Sequence, residues 1–183
     1  MSRALLLLAD GVEEMEAVIV IDVLRRAEWA VVTASLQEGV VRASRDVRLL
    51  GDQVLSNVDA SEFDVLVLPG GLCGVEQFVS DQRVIDLIQR FSNDEKRVLA
   101  AICAAPLALQ KAGVLEGRRY TSHPSVAEQL MTGDRVDDRV VVDGGLITSQ
   151  GPGTAFEFAL KLVETKGGVL SAQSVADALI LPD

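Results

Sequence analysis

The sequence predicts an α/β fold in which a mostly parallel sheet is covered by helices on both faces. Short apolar runs recur at residues 4–9, 63–68 and 98–102, the second broken only by Asp64, and such runs read as strands buried on both sides. Segments with helical periodicity alternate with them, which is the pattern of a parallel sheet wrapped by helices. The runs also end alike, in Asp10-Gly11, Pro69-Gly70-Gly71 and Ile102-Cys103. In open parallel sheets ligands bind beyond the carboxyl ends of the strands, so these three ends are the first place to look for a site.

The first run, ALLLLA, is stopped by Asp10-Gly11. Residues 13–27 follow as a helix, with Met15, Val18, Ile19, Val23 and Leu24 spaced for one turn rather than for alternation. Its acidic first turn and Arg25-Arg26 at the end suit the helix dipole. A second strand is expected at 31–34. Residues 40–50 read as strand-like stretches around Ser44-Arg45-Asp46. The run FDVLVL is closed by Pro69-Gly70-Gly71, and 81–91 is an amphipathic helix with Val84, Leu87, Ile88 and Phe91 on one face. After the strand at 98–102, a helix is expected at 104–112. Asp143-Gly144-Gly145 sits between two short apolar stretches and reads as a hairpin turn. Helices at 154–165 and 171–179 complete the chain. No repeat, low-complexity stretch or linker interrupts it, and residues 1–183 are expected to form one domain.

Composition narrows the function. There are 17 basic and 27 acidic residues, a net charge of −10. That balance opposes a nucleic-acid surface, which needs clustered Lys and Arg, and no sequence-specific nucleic-acid binding is expected. It does not oppose a small carbonyl substrate, because local charge can differ from net charge. Two cysteines, Cys73 and Cys103, do not make a disulfide framework, and a reducing, cytoplasmic setting is expected. With one histidine, His123, there is no Cys/His zinc spacing, and no metal is expected. The apolar run at 4–9 is too short to span a bilayer, so no membrane partner is expected.

Cys103 lies between an apolar strand and a helix, among Ala100, Ala101, Ala104 and Ala105. A nucleophile on a sharp strand-to-helix elbow needs such small neighbours, and amides at the start of the helix would favour a thiolate and an oxyanion. A small buried thiol that merely fills the core fits the same pattern, and the residues alone leave both readings open. Glu16 is either part of an acidic first turn or a buried carboxyl of raised pKa able to move protons. His123, before Pro124, is either a loop residue or part of the site. Cys73, after Gly-Gly, reads as a loop thiol.

Read together, the segments ALLLLADGVEEMEAV at the start, ASRDV at 43–47, DVLVLPGG at 64–71, AAICAAP at 100–106, SHP at 122–124 and TSQGPGTAFEFAL at 148–160 are similar to the DJ-1/ThiJ/PfpI superfamily, and within it to the DJ-1 branch. They span nearly the whole chain in order. The resemblance implies a flavodoxin-like three-layer sandwich, like that of class I glutamine amidotransferases, and a homodimer. It assigns Cys103 as the reactive elbow cysteine, Glu16 as a protonated carboxyl hydrogen-bonded to it, and His123 as a wall of the same pocket. It has Gly70 and Gly71 supply close backbone approach and oxyanion N–H groups. Arg45 would lie near the site and the dimer interface, and Gly151-Pro152 in the turn beside the partner subunit.

The departures from the pattern are informative. The protease-like branch has His directly after the cysteine, where this chain has Ala104. Amidotransferase relatives carry a late HxE motif, and this chain has no second histidine. Both activities are disfavoured. Ala43 stands where the branch often has another oxidisable cysteine, and Gln150 where some relatives have Arg. The resemblance therefore implies cysteine-dependent, cofactor-independent conversion of small dicarbonyls such as methylglyoxal to lactate, or repair of early glycation adducts on a glycated substrate. Its alternative is a stress sensor or redox-regulated chaperone whose Cys103 is oxidised to the sulfinate.

Overall fold

The computed structural model describes residues 1–182. Strand β1 (Arg3–Leu8) leads into helix α1 (Glu14–Arg26), β2 (Ala30–Ser35), and a hairpin of β3 (Val40–Arg42) and β4 (Arg48–Leu50). Strand β5 (Gln53–Val54), β6 (Val65–Leu68), α2 (Leu72–Ser80) and α3 (Gln82–Ser92) follow, then β7 (Val98–Ile102) and α4 (Pro106–Lys111). The chain closes with β8 (Arg119–Tyr120), β9 (Asp134–Arg135), β10 (Val140–Asp143), β11 (Leu146–Ser149), α5 (Ala155–Gly167) and α6 (Val169–Ala178).

Seven strands form the main sheet in the order β10-β11-β7-β6-β1-β2-β5, parallel except for the β10–β11 hairpin. Helices α1, α5 and α6 pack together as one layer, and α2, α3 and α4 as the other. The central strands β1, β6 and β7 are apolar on both sides because both sides are covered, and Leu5–Leu8, Val65–Leu68 and Val98–Ile102 are all buried. This is the mostly parallel, helix-covered sandwich expected.

The sheet order explains why three separated stretches of sequence form one site. Strands β7, β6 and β1 are neighbours, paired in parallel with Leu68 opposite Ala101 and Leu6 opposite Val67. Their carboxyl ends open side by side, so Asp10-Gly11, Pro69-Gly70-Gly71 and Cys103 converge. The chain reverses direction across the sheet between β1 and β6, which is where such folds leave a crevice.

The two strand-like stretches expected around Ser44-Arg45-Asp46 are β3 and β4, and these three residues form the tight turn between them, with Asp46 at φ 68°. The structure differs from expectation in three places. Residues 72–80 form α2, although Gly74 breaks their apolar pattern. That glycine is a packing residue, because a Cβ there would approach Val12 N to 2.7 Å. The helix expected from 104 begins at Pro106, because residues 103–105 form the elbow itself. The β8–β9 pair was not foreseen, since two-residue strands carry no periodicity.

The α5 layer holds the sheet through fully buried side chains, among them Phe158, Leu162 and Val163. Truncating Phe158→Ala removes a whole ring from a packed layer and is expected to cost about 3–5 kcal/mol, read as a lower midpoint in urea denaturation followed by circular dichroism.

Candidate active site

Cys103 follows the end of β7 in the left-handed region, at φ 66°. A non-glycine residue is rarely held there, and such strain concentrates at functional sites. The turn lifts the partly exposed thiol out of the sheet into a cleft of about 890 Å³. Gly71, Ala104, His123, Arg45 and Pro152 line the same cleft.

Beneath the sulfur, α1 presents Glu16, which is fully buried. Its Oε2 accepts the Gly70 N–H at 2.6 Å, and both the carboxyl and the Cys103 thiol crowd against Gly70, which places them side by side. Oε1 is buried without a hydrogen-bond partner. Burial pushes the Glu16 carboxyl up to about 7, against the downward pull of the Gly70 N–H and Cys103, while nearby Glu13 adds to the upward push. With Glu16 ionised, burial and that neighbouring charge push the Cys103 thiol upward, while the N–H groups of Gly71 and Ala104 pull it down. Two anions in direct contact repel, so the pair titrates as a unit and holds at most one negative charge near neutral pH.

That single charge has two possible homes. On Glu16 it would leave a buried Oε1 with no donor, which is costly. On Cys103 it meets the N–H groups of Gly71 and Ala104, and a protonated Glu16 becomes a donor to the sulfur instead of a repelling charge. The arrangement is suited to a thiolate beside a carboxylic acid.

Gly70 and Gly71 divide the work expected of both. The Gly70 N–H is taken by Glu16 and its carbonyl accepts the Glu13 N–H at 2.9 Å, so it has nothing left for an oxyanion. Its lack of a Cβ is what matters, because a methyl there would overlap the Cys103 Cβ and reach Glu16 Oε2 at 2.7 Å. The N–H of Gly71 faces the sulfur, and the N–H of Ala104 does the same in place of the helix amides expected, because α4 starts two residues later with a proline.

His123 reaches the cleft as expected. Its Nδ1 accepts the Ser125 N–H at 3.2 Å and lies 2.7 Å from Ser125 Oγ. A ring nitrogen that accepts a backbone N–H is unprotonated in the neutral imidazole, so the proton sits on Nε2 and the ring is a donor. Gly151 packs against this ring, and a Cβ there would lie 3.2 Å from His123 Cδ2.

Arg45 is brought to the rim by contacts the sequence did not advertise. Ser44 Oγ donates to Glu13 at 2.6 Å or to Glu14 at 2.8 Å, and the Arg45 N–H donates to Glu14 Oε1 at 2.8 Å. Against the upward push of burial, hydrogen bonds from backbone N–H groups and Ser44 hold the Glu14 carboxyl below the usual range. Glu14 is thus an anchor for the β3–β4 turn, and only its place in the acidic first turn hinted at it. Cys73, read as a loop thiol, lies instead in α2, exposed on the wall of the cleft. Among the described residues no group of three or more His, Cys, Asp and Glu side chains is placed to hold a metal.

This architecture has known counterparts. The DJ-1/PfpI family matches residues 2–165. The Drosophila melanogaster protein dj-1beta is 49% identical over 181 residues, covering 97% of this chain and 96% of its own. Its crystal structure superposes with a TM-score of 0.95 at 48% identity, covering all of both chains. A Caenorhabditis elegans relative, glutathione-independent glyoxalase DJR-1.2, is 34% identical over 182 residues, covering 98% of this chain and 96% of its own. With the family match running over residues 2–165 and a relative 49% identical across nearly all of both chains, the chain belongs to the DJ-1/PfpI family.

Proposed function

We propose that this protein is a cysteine-dependent, cofactor-independent enzyme that detoxifies reactive dicarbonyls, converting methylglyoxal to lactate. The observation that carries the reading is the Cys103–Glu16 pair: a strained, partly exposed thiol in contact with a buried carboxyl whose pKa is about 7. A relative that bears the name of a glutathione-independent glyoxalase supports it.

The chemistry follows from the groups in place. The Cys103 thiolate adds to the aldehyde carbon, and the carbonyl oxygen takes up a proton to give a hemithioacetal. A proton leaves that carbon and another is delivered to the adjacent one, which turns the adduct into a lactoyl thioester. Glu16, poised near neutral pH, is the group suited to both transfers. Water then releases lactate and the free thiol, so the sum is one dicarbonyl plus one water. The Ala104 and Gly71 N–H groups and the Nε2–H of His123 supply donors where negative charge develops on oxygen. The same attack on an early glycation adduct would release the amine or thiol, a deglycase activity.

Other expectations fit this reading. Two free thiols suit a reducing cytoplasm. No described helix is long and apolar enough to cross a membrane. The exposed Met15 and Val18 on α1, close in sequence to Glu16, offer an apolar face for a homodimer that would carry Arg45 and Gly151-Pro152 toward the partner.

A second reading is favoured by the donors around the sulfur. Gly71, Ala104 and a protonated Glu16 are as well suited to a sulfinate as to an oxyanion, so peroxide could oxidise Cys103 in two steps, each releasing one water, and make the protein a stress sensor or redox-regulated chaperone. Mild peroxide followed by mass spectrometry is expected, under this reading, to add two oxygens to Cys103 ahead of Cys73. Oxidation of Cys73 first would reject it.

Lactate formation from methylglyoxal tests the first reading. Cys103→Ala is expected to abolish it and Glu16→Gln to lower kcat by about 10²–10⁴-fold, the usual worth of a positioned acid–base. Equal rates in all three proteins would sink the assignment. The raised pKa of Glu16 also predicts a pH dependence of stability. Because the folded carboxyl binds its proton more tightly than the unfolded one, stability is fully present below about pH 4.5 and is lost as pH rises toward 7. The loss attributable to Glu16 is on the order of 3 kcal/mol, and it should be missing from Glu16→Gln when urea midpoints are compared between pH 4.5 and 8.

A further inference from the structure

The left-handed turn at Cys103 is held from both sides by backbone hydrogen bonds. Its N–H donates to the Ser149 carbonyl at 2.9 Å, and its carbonyl accepts the His123 N–H at 2.8 Å. Both partners depend on β11. Ser149 is the last residue of that strand. Thr148, one before it, accepts the Thr121 N–H on its hydroxyl at 2.9 Å and so ties down the segment that carries His123.

The end of β11 is itself fixed by a buried hydroxyl. Thr154 Oγ1 lies 2.6 Å from Ser149 Oγ, accepts the Gly151 N–H at 3.1 Å and lies 2.9 Å from the Gly151 carbonyl. Ser149 Oγ in turn reaches the Arg139 carbonyl at 2.8 Å. Thr154 and Ser149 are both buried, so these groups have no water to fall back on. The Thr154 hydroxyl therefore touches both residues that border the site from this side: Ser149, whose carbonyl holds Cys103, and Gly151, against which the His123 ring packs.

We propose that Thr154 is a positioning residue for the reactive cysteine, holding the end of β11 so that the Cys103 elbow keeps its sulfur over the Gly71 and Ala104 N–H groups. The inference rests on the reading of Cys103 as a reactive thiol. The Thr154 side chain makes no cap of α5; its bond to the Gly151 N–H closes the short turn at Pro152–Thr154, and its contact with Ser149 Oγ lies beyond any local capping role. Without the hydroxyl the 149–151 segment is free to shift, and a shift of the Ser149 carbonyl releases the elbow from an unfavourable region of backbone space. The sulfur then leaves its donors, its thiolate form loses support, and its reactivity falls.

Thr154→Val removes the hydroxyl at nearly constant volume. The test is the rate of iodoacetamide alkylation of Cys103 across pH 5–10, resolved from Cys73 by peptide mass spectrometry, with folding checked by circular dichroism and urea midpoints. The valine variant is expected to react about ten-fold more slowly at pH 7, with its midpoint about one unit higher. Thr154→Ser, which restores the hydroxyl, should stay within about two-fold of the parent. A purely structural role would lower the urea midpoint and leave the alkylation midpoint unmoved, and that result in a folded Thr154→Val protein overturns the proposal. So does a serine variant as impaired as the valine one. Should Thr154→Val fail to fold, Ser149→Ala removes the other hydroxyl of the pair, and an unshifted midpoint there overturns the proposal as well. Parent Cys103 that alkylates no faster than Cys73 overturns the reactive-cysteine reading itself, and the role of Thr154 with it.

Discussion

The positive backbone angle at Cys103 organises everything around it. A non-glycine residue in this region costs about 1–3 kcal/mol, and the fold carries that cost through the Ser149 and His123 backbone bonds on either side. What results is placement. A cysteine continuing β7 would have pointed into a helix layer, whereas the turned one sends its sulfur beyond the strand ends. The neighbours adjust to this one turn. Gly70 must lack a side chain because Cys103 and Glu16 occupy its space, and Ala100, Ala101, Ala104 and Ala105 keep the surrounding backbone close.

Two glutamates on one turn of α1 show how environment divides their chemistry. Glu14 and Glu16 are both buried, and both lose solvation. Glu14 receives N–H and hydroxyl donors from the Ser44–Arg45 turn and stays readily ionised. Glu16 receives one N–H, from Gly70, and leaves its second oxygen unpartnered, so burial prevails and its proton is held to near neutral pH. The first carboxylate is an anchor that draws the β3–β4 hairpin over the cleft. The second is a buried carboxyl that keeps its proton to near neutral pH. Both are glutamates in the first turn of α1, and the difference lies in which side of the helix each faces, how deeply it is buried and how many donors it meets.

Much of this was legible in the chain. The apolar runs announced the three central strands, and their breaking residues announced the strand ends, because a parallel sheet buried on both faces tolerates little else there. The elbow at Cys103 was visible as a thiol among alanines, although spacing and periodicity do not separate filler from nucleophile and give no sign of its left-handed backbone angle. Glu16 stayed ambiguous for a plain reason: helix period alone cannot distinguish a carboxyl facing a neighbouring thiol from one facing solvent. Helix α2 escaped notice because its Gly74 looks like a loop residue when its real task is to let α2 approach Val12. Ser149 and Thr154 were hidden more deeply. They act through a carbonyl and through a hydroxyl pair, and neither leaves a mark in periodicity or charge.

The walls of the cleft bear on the kind of substrate it suits. Arg42 and Arg45 share the lining with Asp10, Glu13 and Asp46, and Arg42 is already paired with Asp46 at 3.4 Å. Such a lining offers no surplus of positive charge to draw in a phosphate or carboxylate, and the acidic chain around it adds none. A small neutral carbonyl compound meets no such barrier and needs only donors for its oxygen. Ala104 points the same way. A histidine there would place a base beside the sulfur for expelling an amine, as in the protease-like branch. With alanine, the carboxyl beside the sulfur is that of Glu16, buried beneath the thiol. Under the dicarbonyl activity proposed above, proton movement from there would serve an adduct on the sulfur itself, as rearrangement of a hemithioacetal requires.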